Sequence, residues 1–207
     1  LDRLCGALGD AVLLDPSING QEILEYIECA NLFTFPLDNE RHWYRYHPLF
    51  ADLLRQRLGQ RQTTEEIAQY HISASEWLEK NSDQAEAFRH LIAARGYDRA
   101  ADLVERSWQG MNESLQPAAW LGWVKQLPEE LICSRPVLCT QIAWGFMDTH
   151  DLDASEARLR DAERCLEGPL DEMVIVATEQ FRTLPARIAF IRAYNAQARG
   201  DFLSTLK

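Results

Sequence analysis

Apolar residues recur along this chain at helical spacing almost throughout, and one short region departs from that rhythm. Over residues 19–30, Ile23, Leu24, Ile27 and Ala30 fall on one helical face, with Asn19 or Ser17 placed to cap its start. The next runs, LFTFPLD and RHWYRYH, are rich in β-formers and flank a polar Asp38-Asn39-Glu40 turn, which predicts a β-hairpin. Pro36 cannot donate a ladder hydrogen bond, so the first run is expected at a sheet edge. Pro48 suits the first turn of a following helix, where a missing amide hydrogen costs nothing. Leu49, Phe50, Leu53, Leu54 and Leu58 give that helix an apolar stripe. Helix, hairpin and closing helix together predict a small winged-helix-like domain over 1–60.

Beyond residue 60 the pattern is helical only. Thr63 and Glu66 stand at the spacing of a capping box, which starts a helix running to about Lys80. A second helix is expected after Asp83, with Ala87, Phe88, Leu91 and Ile92 inward. Others are expected at about 97–111, 117–126, 136–149, 153–167 and 172–199. Pro117 and Pro136 fit helix starts, whereas Pro185 should kink or break the last segment. A junction recurs in ARGYDRAADL, THDLDASEARL and ARGDFLSTL: a polar or glycine turn, then a bulky residue at Tyr97, Leu152 or Phe202. Short turns favour antiparallel neighbours. The fold expected is mainly α: a winged helix over 1–60, then an irregular, tetratricopeptide-like α-solenoid of helical hairpins over 61–207.

Charge narrows the functions this pattern allows. The chain carries a net charge of −11, which argues against nucleic-acid binding by the whole chain. Residues 41–61 hold five arginines against the single acid Asp52, a local excess of +4. That stretch could touch a nucleic-acid backbone. Its late arginines, Arg55, Arg57 and Arg61, could equally serve the negative end of a helix dipole. Five widely spaced cysteines without a CxxC fit free thiols in a reducing cytosol. No apolar run has the length of a membrane span. Leu1 opens inside an apolar pattern and Lys207 closes near the start of another, so the chain reads as part of a longer protein.

Most catalytic chemistry lacks a residue set here. None of His42, His47, His71, His90 and His150 lies in HExxH or at zinc spacing from a cysteine, so no metal site is expected. There is no GxSxG nucleophile elbow and no GxxxxGK[ST] phosphate loop, and no catalytic residue is assigned. Trp120 and Trp123, three apart on one helix, could line a ligand or partner groove with Trp144; helix-to-helix core packing is the plainer reading. His47 stands where the hairpin ends and a helix begins. A histidine beside unpaired helix N-terminal amides can receive an anion such as phosphate, or can serve as a structural cap.

The segment LEYIECANLFTFPLDNERHWYRYHPLFADLLRQRL resembles part of the MalT-like, LuxR-type transcriptional activators, signal-transduction ATPases of the STAND class. FRHLIAARGYDRAADLVE, AWLGWVKQLPEELICSRPVLCTQIAWGFM and ASEARLRDAE resemble the tetratricopeptide-like sensor region of the same family. The resemblance implies a cytoplasmic parent in four parts: an ATPase domain using ATP and ADP, a winged helix, a superhelix that binds a small-molecule inducer or regulatory protein, and a C-terminal helix-turn-helix for DNA. This chain would hold the second part and the start of the third. It would be no enzyme itself, would bind no cofactor itself, and would meet the upstream ATPase domain as a partner. Tyr46-His47-Pro48 resembles the Met-His-Asp motif of related ATPases, in which the histidine contacts the β-phosphate of ADP. Tyr46 and Pro48 depart from that motif, so the resemblance carries over to His47 alone. A protein-binding helical scaffold and a DNA-binding winged helix are the alternative functions.

Overall fold

Asn19 caps its helix by accepting from the backbone amides of Gln21 and Glu22, and α2 runs Gly20–Cys29. In the computed structural model, residues 3–13, 17, 19–169 and 173–200 are described. They form a mainly helical protein with one two-stranded antiparallel sheet. The chain divides into two compact units, Leu1–Gly96 and Tyr97–Lys207.

The first unit begins with a helix that apolar periodicity did not reveal, α1 (Gly6–Leu13). It crosses α2 so closely that a Cβ on Gly20 would meet the Gly6 carbonyl oxygen at 2.5 Å, and one on Gly6 would meet Gln21 at 2.7 Å. Glycine is required at this crossing because no side chain fits. Asp10 secures it by accepting from the Gly20 amide at 2.6 Å. Strands β1 (Thr34–Pro36) and β2 (Tyr44–Tyr46) pair with Thr34 opposite Tyr46 and Pro36 opposite Tyr44. Leu4 bridges to the other side of Tyr44, so β1 takes the edge, as Pro36 requires. Asp38 closes the hairpin by accepting from the His42 and Trp43 amides, and the His42 contact first of all holds its carboxyl below the usual range.

α3 (Pro48–Arg61) corrects an expectation. Its leucine stripe does not pack into the domain: Ala51 is its buried residue, Leu49 is 75 % exposed and Leu53 47 % exposed. Leu54 and Leu58 are exposed as well. The stripe has helical period but no neighbour within this unit to bury it. The core instead gathers Cys5, Leu8 and Ala74 with Val12, Trp43 and Trp77 around them. α4 (Thr64–Lys80) starts at the predicted capping box, with Glu66 N–H donating to Thr63 and Thr63 N–H to Glu66. α4 packs on α1 and on α5 (Gln84–Ala93), where Phe88 and Leu91 are buried. The boundary expected after residue 60 falls at the end of α3, and this compact unit also takes in α4 and α5.

The second unit is built around α9 (Pro136–Asp148), in which ten of thirteen residues are buried. A helix apolar on every side must be enclosed, and α6 (Tyr97–Glu113), α7 (Pro117–Val124), α8 (Glu129–Cys133) and α10 (Leu152–Glu167) pack against it. The single helix expected over 172–199 is two, α11 (Thr178–Arg182) and α12 (Leu184–Ala198), with Pro185 in the first turn of α12. Proline breaks the segment by removing an amide and then serves a new start.

The recurrent junction has a physical basis. After α5, α6 and α9, one residue takes left-handed backbone (Arg95, Leu115 and His150), and two amides return to the last turn. Ser82 does the same between α4 and α5. This closure satisfies the orphan carbonyls and turns the chain within three residues. Asp83 and Asp151 then cap the next helix at once. Phe202, the third aligned position, lies outside the described residues.

The burial contrast predicts a stability contrast. Leu91→Ala should cost about 2–5 kcal/mol in urea unfolding, whereas Leu49→Ala should stay within about 0.5 kcal/mol. A similar loss at both positions would mean that α3 packs as a core helix.

Candidate functional site

His47 occupies the N-cap of α3 with extended backbone (φ −58°, ψ 137°), as a residue before proline must. Its carbonyl accepts from the Phe50 and Ala51 amides at 2.9 Å, and its own amide donates to the Phe33 carbonyl at 2.7 Å. The imidazole makes no capping bond and is exposed. Phe33 fixes the other side of the site. It holds left-handed backbone, φ 55°, which is uncommon and costly for a bulky side chain. In that conformation its ring stands edge-on to His47 at 6.4 Å and tilts against Phe50 at 5.8 Å. Tyr46 meets Phe50 edge-on from β2.

The unit that carries His47 exposes many apolar side chains. Phe33 is 58 % exposed, Tyr26 on α2 71 %, and Leu32, Phe35, Leu37 and the α3 leucines are exposed too. The basic character of the stretch is partly spent within it. Arg41 lies 3.5 Å from Glu28, and Arg55 pairs with Asp52 at 2.8 Å. A histidine at an open helix start, with the exposed Phe33 ring beside it, can dock on another protein surface and present a proton donor to an anion there.

The tryptophan groove is corrected. Trp120 is wholly buried; its indole N–H donates to the Val104 carbonyl at 2.9 Å, and its ring meets Trp108 edge-on at 4.6 Å. A buried indole with its one donor satisfied is a core residue. Trp123, half-buried, shares α7 with it, while Trp144 stacks on Phe190 of α12 at 5.4 Å. Trp120 and Trp144 are therefore engaged in separate packing contacts, with Trp108 and with Phe190.

Sequence reasoning missed three polar clusters, because each joins residues far apart along the chain. His71 and His90 face each other across α4 and α5, Nδ1 to Nδ1 at 2.7 Å, so one ring donates and the other accepts. Burial pushes His71 below the usual histidine range. Glu129, Cys133 and Asp161 bring ligand-type atoms within 4.8 Å of one another. Arg158 bridges both carboxylates there, so a guanidinium fills the position that a cation would take. The third cluster is the most buried. Glu105 on α6 is fully enclosed, with Arg135 3.7 Å away; Arg135 also binds Asp102 at 2.6 Å. Burial raises the Glu105 carboxyl to about 6 despite Arg135.

Residues 1–66 match the sequence model of the MalT winged helix domain. This supports a MalT-like relationship for the unit that carries His47. Over 144 residues, 70 % of this chain, the sequence is 36 % identical to serine/threonine-protein kinase PknK of Mycobacterium tuberculosis, strain H37Rv. The same identity and coverage hold for the protein of that name in strain CDC 1551 and in Mycobacterium bovis. The chain spans 13 % of the length of these relatives. No solved structure matches it significantly. Winged helix and relatives together support a regulatory module. Among the described residues, no helix is long and apolar enough to cross a membrane.

Glu105 generates a pH prediction. A carboxyl whose folded pKa lies above its unfolded value favours folding below the unfolded pKa and loses that contribution as pH rises through the folded one. Between pH 4.5 and 7, wild type should therefore lose on the order of 2 kcal/mol of unfolding free energy relative to Glu105→Gln. Parallel stability curves for the two proteins would contradict the raised carboxyl.

Proposed function

We propose that this chain is the regulatory and sensor part of an ATP-dependent, LuxR-type transcriptional regulator of the STAND class. The winged helix controls the nucleotide state of an ATPase domain elsewhere in the same polypeptide, and the helical repeats bind a small-molecule inducer or regulatory protein. ATP and ADP belong to that ATPase domain, DNA is read by a C-terminal helix-turn-helix, and the whole works in the cytoplasm. One observation carries this reading: His47, exposed and free of a side-chain capping bond at the start of α3, with the exposed Phe33 ring beside it. Docked on the ATPase domain, that ring is buried and His47 reaches the β-phosphate of ADP. A ligand on the repeats that favours the undocked state releases the lock, which is a coupling of two states.

Direct DNA binding by the winged helix is the weaker reading. Residues 1–62 hold six Lys and Arg against nine Asp and Glu, and the outer side of α3 presents leucines. The chain should give no mobility shift of duplex DNA at physiological salt.

In the full-length parent, His47→Ala should speed ADP release roughly tenfold or more, the loss of one hydrogen bond to a charged group, and raise basal activation. An unchanged ADP off-rate in a folded variant would remove His47 from the switch.

A further inference from the structure

Between α10 and α11 the chain runs without helix or strand through Met173, Val174, Ile175, Val176 and Ala177. This strap is uncharged and has three consecutive β-branched residues, which favour extended backbone over helix. All five residues are half-buried, so the strap lies at the surface against its neighbours and not inside the core. It is held by its own backbone. Val174 N–H donates to the Ser134 carbonyl at the end of α8 (3.0 Å), and Ala177 N–H donates to the Glu105 carboxylate on α6 (3.3 Å). The Val176 amide also acts on that carboxylate.

The floor beneath the strap offers more than the strap uses. Gln141 on α9 donates to the Glu105 backbone carbonyl at 3.1 Å and to Gln180 at 2.9 Å. Yet Glu105 Oε2, Arg135 Nε and Gln141 Oε1, all buried, make no hydrogen bond. Unmade bonds of this kind cost stability. Two acceptors and one donor on such a floor match the alternating N–H and C=O groups of an extended backbone.

We propose that the groove between α6 and the α8–α9 turn is a peptide-binding groove, and that strap 173–177 occupies it in place of a partner. The partner is an extended, uncharged, β-branched segment of another protein, bound through its backbone at Ser134 and Glu105. It enters when the strap lifts and engages the three polar atoms that make no hydrogen bond beneath it. Such recognition takes affinity from main-chain bonds and selectivity from alternate side chains. The inference rests on the proposed sensor role of the repeats only for its regulatory meaning. Its test is independent of nucleotide.

The probe is a fluorescein-labelled peptide of sequence MVIVATE, residues 173–179. In the full chain with 173–177 replaced by Gly-Ser-Gly-Ser-Gly, it should bind at least tenfold more tightly than in wild type. Adding Glu105→Gln should weaken that binding at least tenfold. A strap-replaced chain with unchanged circular dichroism that fails to bind the peptide overturns the proposal, as does equal binding by wild type. Hydrogen exchange of the unaltered chain decides the matter even if that variant does not fold. The Val174 and Ala177 amides should exchange at least a hundredfold faster than the amide of Ile142, through opening of the strap alone. Protection equal to that of Ile142 overturns the proposal.

Discussion

Among the described residues, the packed pairs α4–α5, α6–α7 and α9–α10 are each joined through one residue that accepts left-handed backbone at the end of a helix. That conformation lets two amides fold back onto the last turn and leaves the chain pointing into the next helix. Ser82, Arg95, Leu115 and His150 all take it without being glycine. Their strain is offset by the hydrogen bonds they close and by the helix that follows at once. Within each unit, short closures bring consecutive helices together: α4 with α5 in the first, and α6 with α7 and α9 with α10 in the second. Without them the apolar faces of these helices would have no partner close in sequence.

The same device works differently beside His47. Asn31 closes α2, and Phe33, two residues on, is again left-handed. Its carbonyl holds the His47 amide while its ring is pushed outward. Local strain there leaves an exposed ring instead of a compact turn, and the leucines of α3 are exposed as well. An apolar surface around an open helix start is expensive for a free-standing domain and economical for one that docks. That asymmetry motivates the proposal that the winged helix docks on an ATPase domain; the match to the MalT winged helix domain over residues 1–66 supports the relationship alone.

Much of this architecture could be read from residue order. The capping box at Thr63, the edge position of Pro36, the cap at Asn19 and the break at Pro185 each follow from one local rule, and each appears in the structure. Features that depend on distant residues could not be read so. α1 is marked by glycines that matter only once α2 lies across them. The α3 stripe has the period of a core helix, and only the fold reveals that its neighbours are missing. Trp120 and Trp123 share a helix, yet which of them faces inward was decided by Trp108 and Val104. The Glu105–Arg135 pair joins residues thirty positions apart and leaves no local mark. The place of His47 at the start of α3 was legible because its signal is local: a strand end, a proline and a helix start in consecutive residues.

The central claim is that the face formed by Phe33, His47 and the α3 leucines is covered by a nucleotide-binding domain in the resting parent. Hydrogen–deuterium exchange of the full-length parent, followed through residues 31–58 with ADP and with ATP plus inducer, measures this directly. The account predicts slow exchange of that segment in the ADP state and faster exchange on activation. Equal exchange in both states, as fast as in this chain alone, would contradict it.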